Sequence, residues 1–470
     1  MTSQQKVILV ILMIGNFLAI ISTSSINIVL SSFMSIFNSD LQTVQWVASI
    51  YLLANGLIAP ITGWLGDRFT FAKLFIVGMV IFSIASVLCS IAWSIEALII
   101  FRFLQGLAAG IVVPASMTLI YLLIEKERQP FALSLWTLGA MFGPAIGPTL
   151  AGFLVSSLSW HWLFLINIPF CIVALILAKF YLKAGEQSSS SKSFDTKGFL
   201  LIVIGTVGIV YSLKLVETNM WLCVALFVFS TGLILFYVLY SFKRQNPILK
   251  LSVFKIPSYT YALLISFFLL FNLYSATLFL PIYLQNIRGI SVFETGLILM
   301  PAAICMGVIN LLAGNHYSHH RLLLLGIIGI SGTVIGSFLL GQMDLNTSIL
   351  FIIITLSIRN MGIAITFTVV SAAGMSEVPK ELSGHGSAIL NWLRQTFSAV
   401  ALTLISVAFT AITLFREAQG VPYKEAFTQN ISFIIIAGGL MTLAAIPMLW
   451  VCSRSLLRLM YRSPAVDETT

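Results

Sequence analysis

The chain alternates long, unbroken apolar runs with short polar breaks from one end to the other. The runs lie at roughly 6–30, 45–66, 74–94, 96–123, 130–156, 162–183, 197–216, 219–242, 258–286, 294–315, 321–343, 347–374, 387–414 and 430–455. Each is close to the roughly 20 residues that carry a helix across a hydrocarbon core of about 30 Å. A backbone in lipid must satisfy its own hydrogen bonds, and these runs lack the alternation of a barrel strand. The pattern therefore predicts an all-α integral membrane protein with fourteen transmembrane helices. The shortest break, "ETNM" at 217–220, separates the seventh helix from the eighth. The first run is longer and more polar at its end than a signal peptide, and no small-residue cleavage site follows, so it reads as a retained helix.

Longer polar stretches group the runs. "KAGEQSSSSKSFDTK" at 183–197 reads as a flexible linker, and "SFKRQNPILKLSVFK" follows the eighth run. The expected division is an N-terminal six-helix half (1–184), a linker with a two-helix insert (185–257) and a C-terminal six-helix half (258–470). Six plus six suggests an internal repeat. The fourth run holds "RFLQG" and its counterpart "RNMG", each with an arginine about one turn before a glycine. The second run holds "GLIAPITGWLGDR", and its counterpart begins "GLILMP" but lacks the acid.

Composition agrees with the pattern. The 470 residues are 59% hydrophobic and 9% charged, against about 45–50% and about 25% in soluble domains. Lys6, Arg68, Lys73, Arg128, Lys243, Arg244 and Arg321 fall on one side of the predicted membrane, with most of the other basic residues. Lys214, Arg288, Arg416 and Lys424 fall on the other. Basic loops stay in the cytoplasm, so both termini are expected there, in a multi-pass plasma-membrane protein. The net charge of +9 needs no nucleic-acid partner, because this bias and anionic lipid account for it. The five cysteines are not spaced as disulfides or metal ligands, and no cofactor or metal is called for. His316, His319 and His320 share one loop, but histidines and carboxylates are otherwise scattered, which argues against a membrane enzyme. A receptor usually carries a soluble domain and an ATP-driven pump a P-loop; neither is evident.

"GWLGDR" (63–68), "RFLQG" (102–106) and "GAMFGPAIGPTLAG" (139–152) resemble the signature motifs of the major facilitator superfamily. With fourteen runs, "TVQWVASIYLLANG" and "WHWLFLINIP", the chain is similar to the fourteen-helix drug:proton antiporter branch. The resemblance implies a secondary active transporter that exports lipophilic or amphiphilic small molecules by alternating access and proton antiport; a monomer is expected. It implies a latch at Gly63, Asp67 and Arg68, with Asp67 at the start of a helix of the opposite half. A solvated interfacial pair is the plainer reading. Thr70, Phe71 and Ala72 depart from the motif, standing where a glycine and basic residues are usual. Arg102, with Gln105 and Gly106 beside it, would line the cavity and assist coupling, unless its charge snorkels outward. Arg359 is its equivalent, and Arg394 a shallower third. Gly139, Gly143 and Gly147 share a helix face that Pro144 and Pro148 kink. The family places such a helix at the seam between halves; a purely structural interface is the alternative.

The first run departs most. The family ends this helix with Asp-x-Thr-x-x-Asn, and here Ser22, Ser24 and Asn27 hold those positions. None of the 16 carboxylates falls at mid-membrane. Ser22, Ser24, Asn27, Asn55, Asn272, Tyr274 and Asn310 remain as neutral cavity candidates, each equally readable as a helix-packing hydrogen bond. If protons are carried, the acid to suspect is Glu294 at the outer start of the tenth run, although a helix-start acid favoured by the dipole explains it too. An interior with arginines and no carboxylate favours neutral, zwitterionic or anionic amphiphiles over dications. The alternative function is export of one anionic or zwitterionic metabolite or lipid-like solute.

Overall fold

The computed structural model describes residues 2–125, 128–182, 194–216, 219–244, 247–316, 319–379 and 382–462; the side-chain surroundings of Gly63, Asp67 and Gly139, among others, fall outside that description. Most of the 183–197 linker, Glu217 and Ser318, which stands in the second-half counterpart where the acid of "GWLGDR" would fall, also lie outside it.

Among the described residues every regular element is helical. In chain order the helices are α1 (Ser3–Ser24), α2 (Ile26–Ile36), α3 (Leu41–Phe69), α4 (Phe71–Ser90), α5 (Ile95–Leu123), α6 (Gln129–Ser157), α7 (Trp162–Leu165), α8 (Asn167–Tyr181), α9 (Thr196–Lys214) and α10 (Met220–Lys243). They continue as α11 (Pro257–Ile282), α12 (Val292–His316), α13 (Leu322–Leu340), α14 (Ile349–Ser376), α15 (Ser383–Ala418), α16 (Tyr423–Met441) and α17 (Ala445–Arg462). Thirteen helical spans among the described residues are long and apolar enough to cross a membrane. The 29-residue α6, at the fifth predicted run, stands between two of them.

The polar breaks start the helices. Asp40, Ser94, Asp195, Asn219 and Ser348 each accept a backbone N–H in the first turn of α3, α5, α9, α10 and α14. Such a cap satisfies one of the donors every helix start leaves orphaned. Two sequence boundaries need correction. The last run is one span, as expected, but begins at Tyr423 rather than 430, built from α16 and α17 with a tight turn at Thr442–Ala444 between them. α15 is 36 residues long and extends past the predicted 387–414 at both ends. Apolar length reports the lipid-facing part of a helix, whereas backbone hydrogen bonding continues into the polar flanks.

The helices cross back and forth between two ends of one bundle. The end where α1 begins and α3 meets α4 is called here the basic end, the opposite one the far end. α3 packs along α15, and α6 along α12. At the far end α2 meets α11. Between α3 and α15, Trp46, Leu53, Leu57, Ala399 and Val210 of α9 form one apolar cluster. The α9–α10 pair is thus fastened through α9, while α10 turns Trp221, Val228, Phe229, Phe236 and Leu239 outward. Asp195 fixes the base of this pair. It accepts bonds from the Gly198 and Ile248 amides (both 3.1 Å) and the Tyr240 hydroxyl (2.9 Å), and pairs with Arg244 at 3.5 Å. Beside it Phe194 packs on Trp64 of α3, ring centroids 4.7 Å apart.

Candidate functional site

Arg102 is completely enclosed at the meeting of α3, α4 and α5. Its Nε donates to the Val47 carbonyl (3.0 Å) and its Nη1 to Gln105 Oε1 (2.5 Å). Gln105 in turn donates to the Ser86 hydroxyl of α4 at 2.8 Å. The guanidinium carbon stands 4.2 Å from the Tyr51 ring centroid, and the Tyr51 hydroxyl donates to the Ala19 carbonyl of α1. An isolated charge taken from water costs several kcal/mol. Carbonyl and amide acceptors and an aromatic face, the last worth about 0.5–2 kcal/mol, offset part of that cost. Nη2 has no partner among the described residues. Sequence reasoning placed Arg102 on a cavity; the structure instead makes it the node that ties four helices together.

Gly106 makes the node possible. A Cβ there would stand 2.4 Å from the Tyr51 carbonyl oxygen, so only glycine lets α5 come this close to α3.

Arg359 is enclosed as fully, on α14. Its Nη2 donates to the Asn272 carbonyl and to Ser275 Oγ of α11, and Gly336 of α13 leaves room for its backbone. The equivalence with Arg102 stops at the glycine. Gly362 faces Thr333 and Gly329 of α13, while Gly106 faces α3. One glycine follows its arginine by four residues and the other by three, and one residue turns a helix by about 100°. Arg394 of α15 differs from both, because part of its surface stays open. Its Nη2 donates to Ser371 of α14, and its guanidinium lies 4.3 Å from the Phe367 ring centroid.

Gly143 and Gly147 of α6 meet α1. A Cβ at Gly143 would stand 2.5 Å from Ile20, and one at Gly147 2.9 Å from the Ser24 Cβ; Ser25 donates to the Gly147 carbonyl at 3.2 Å. The adjoining face makes the contact with α12. Thr149 donates to the Gly296 carbonyl (3.1 Å), and Gly152 and Gly296 each approach the partner backbone within 3 Å of a notional Cβ. Pro144 and Pro148 lie between these faces, both half-buried. Sequence spacing identified the stripe but could not say which of two neighbours it met.

At the far end the structure adds a residue the motifs missed. Just beyond Pro281, α11 widens into a π turn at Tyr283–Ile287. Gln285 there donates to the Ile28 carbonyl (2.8 Å) and accepts from Ser31 Oγ (2.7 Å), both on α2. A single-turn π widening redirects one side chain, and here that side chain clamps the first six spans to the last six. A glutamine four residues past a helix-interior proline was the available signal.

At the basic end α3 runs directly into α4. The Asp67 side chain lies outside the described set, so its latch contact is not assigned. Arg68 is exposed and stands 5.3 Å from the Trp64 ring centroid. Thr70, at the motif's usual glycine position, has φ 70 and ψ 141. That conformation is costly for any residue with a Cβ. Its hydroxyl accepts the Lys73 amide, capping α4.

The neutral candidates separate. Ser22 accepts from Asn167 of α8, and Asn272 is fully enclosed and donates to Ser337 of α13. Both make helix-packing hydrogen bonds, the plainer of the two readings the sequence left open, and Ser22 also lines a small cavity with Ser25 and Asn167. Ser24 donates to its own helix at Ile20. Asn27 is nearly enclosed, its Oδ1 without a hydrogen-bond partner among the described residues. Asn55, Tyr274 and Asn310 remain half-buried. Glu294 is exposed and forms a reciprocal cap with Ser291: its Oε2 accepts the Ser291 amide and hydroxyl, and its own amide donates to Ser291 Oγ. Helix initiation accounts for that acid without a proton.

Comparison with known proteins agrees with this construction. The profile of the Major Facilitator Superfamily matches residues 12–402. The chain is 30% identical over 418 residues to the Lincomycin resistance protein LmrB of Listeria monocytogenes serovar 1/2a, covering 87% of this chain and 88% of that one. It is 30% identical over 381 residues to the Multidrug transporter protein MdtP of Bacillus subtilis (strain 168), covering 79% and 69%. Among solved structures it resembles a bacterial homolog of the human lysosomal transporter Spinster, with a TM-score of 0.67, 14% identity and 97% and 98% coverage.

Proposed function

The chain belongs to the major facilitator superfamily, and we propose that it exports lipophilic or amphiphilic small molecules by alternating access, driven by proton antiport. It acts as a multidrug exporter in the plasma membrane, with both termini in the cytoplasm. The observation that carries this reading is the similarity, over most of the chain, to relatives named for lincomycin resistance and multidrug transport. The seam supports it: α6 meets α12 through glycines and a threonine, surfaces that can separate and close again without unlocking side chains. The halves 1–184 and 258–470 rock about that seam, carrying the 185–257 insert with them.

Among the described side chains the carboxylates Asp40, Asp195 and Glu294 cap helix starts, and Glu377 ends α14. The fully enclosed charges are the arginines Arg102 and Arg359. The substrate range is therefore weighted toward neutral, zwitterionic and anionic amphiphiles. Cells with and without the protein, compared for susceptibility to lincosamides and other lipophilic compounds, test the export reading. Resistance across several classes supports it; unchanged susceptibility to all of them, with the protein present in the membrane, overturns it.

A further inference from the structure

We propose that Arg394, with Ser371 and Phe367, is the subsite that receives the acidic group of an anionic amphiphile. This rests on the export reading above and names a substrate class for it.

Three arginines lie within the membrane-spanning helices α5, α14 and α15, and their surroundings differ. Arg102 and Arg359 are fully enclosed, so no solute reaches them without unpacking a half. Arg394 alone of the three keeps open surface, as do Phe367, Thr368 and Ser371 on the facing stretch of α14 and Asn310 of α12. The helices explain why. α15 packs against α3, α11, α16 and α9, and α14 against α13, α12 and α11, while the α14 and α15 backbones scarcely approach each other. Arg394 reaches across this gap to Ser371 and lies over the Phe367 ring. One turn along, Thr368 donates to Asn310 Oδ1 and closes the α12 side. Phe267 of α11 packs edge-on against Phe397 of α15, centroids 5.1 Å apart, adding an apolar surface beside the charge.

The electrostatics are one-sided. Among the described residues no carboxylate pairs with Arg394, and its Nε is shielded from solvent without a hydrogen-bond partner. A planar guanidinium with an unused donor matches a carboxylate, sulfonate or phosphate better than an ammonium would. Its attraction for an anion is strong in this low-dielectric setting. The flanking rings accommodate the apolar body. A cation would meet only repulsion.

The test uses two labelled probes that share one body, dansyl-phenylalanine with its free carboxylate and neutral dansyl-phenylalanine amide. Counterflow of each is measured in proteoliposomes of phosphatidylcholine, with and without phosphatidylglycerol. Wild type moves both. Arg394→Gln loses counterflow of the carboxylate by about tenfold or more, the scale of one charge-assisted hydrogen bond, and keeps that of the amide within about twofold. Arg394→Lys falls between. Equal loss of both probes makes Arg394 a packing residue and overturns the subsite, as does unchanged counterflow of both. A difference that emerges only with phosphatidylglycerol assigns the site to a lipid headgroup and also overturns it. If wild type moves neither probe, the export reading falls and the subsite with it; if wild type moves both and Arg394→Gln matches it, the subsite alone falls.

Discussion

Thr70 holds a backbone conformation that suits glycine, at the position where the related motif usually has one. Strain there is on the order of 1–3 kcal/mol, and glycine loses only a few tenths as a helix cap relative to threonine. The greater freedom of glycine in the unfolded chain offsets part of the gain. Thr70→Gly is therefore expected to be at least as stable as wild type in a thermal-unfolding assay. Thr70→Val, which keeps the strain and loses the cap, should lose about 1 kcal/mol. A valine variant more stable than the glycine one would contradict the assignment. At Arg102 the expectation is loss. Arg102→Ala leaves the Val47 carbonyl and Gln105 without their donor, so transport should collapse and thermal stability fall together. Arg102→Lys should recover only part, since one ammonium cannot reproduce the fork. Full activity in Arg102→Ala would remove the node from the mechanism. That Arg102 must face inward was legible in the sequence, because a mid-membrane charge has nowhere else to go. Its partners were not: Val47, Tyr51 and Ser86 come from two other helices, and no spacing along α5 points to them.

At the scale of elements, the fourteen runs were legible because lipid demands length and apolarity together. Helix-end details were not, since caps and polar continuations leave no apolar signal. The same limit applies to faces. The glycine stripe of α6 announced a close contact, yet α1 received it and the next face met α12. Gln285 is the element-level prediction. Its side chain bridges the π turn of α11 to Ile28 and Ser31 of α2, so Gln285→Ala removes two hydrogen bonds that hold the far end shut. Net hydrogen bonds of about 1 kcal/mol each shift a two-state equilibrium by roughly tenfold or more. A cysteine at the neighbouring half-buried Ser32 of α2, which leaves both bonds intact, should then react faster with a polar maleimide in Gln285→Ala than in the parent. Equal rates would mean the clamp is incidental to closure.

For the whole molecule, the arrangement places the basic loops of the predicted cytoplasmic side at the basic end, as the alternation of spans requires. A cysteine at Asp40, which caps α3 at the far end, should label only from outside intact cells, and labelling only after permeabilisation would invert the proposed orientation. The wider claim is electrostatic. Two enclosed arginines and a third at an open gap make the interior cationic, and the described carboxylates sit at helix ends. The most direct test is coupled transport in proteoliposomes, comparing a lipophilic dication with neutral and anionic amphiphiles of similar hydrophobicity and recording proton movement on addition of each. The account predicts coupled efflux of the neutral and anionic compounds and little or none of the dication; robust coupled efflux of the dication would contradict it.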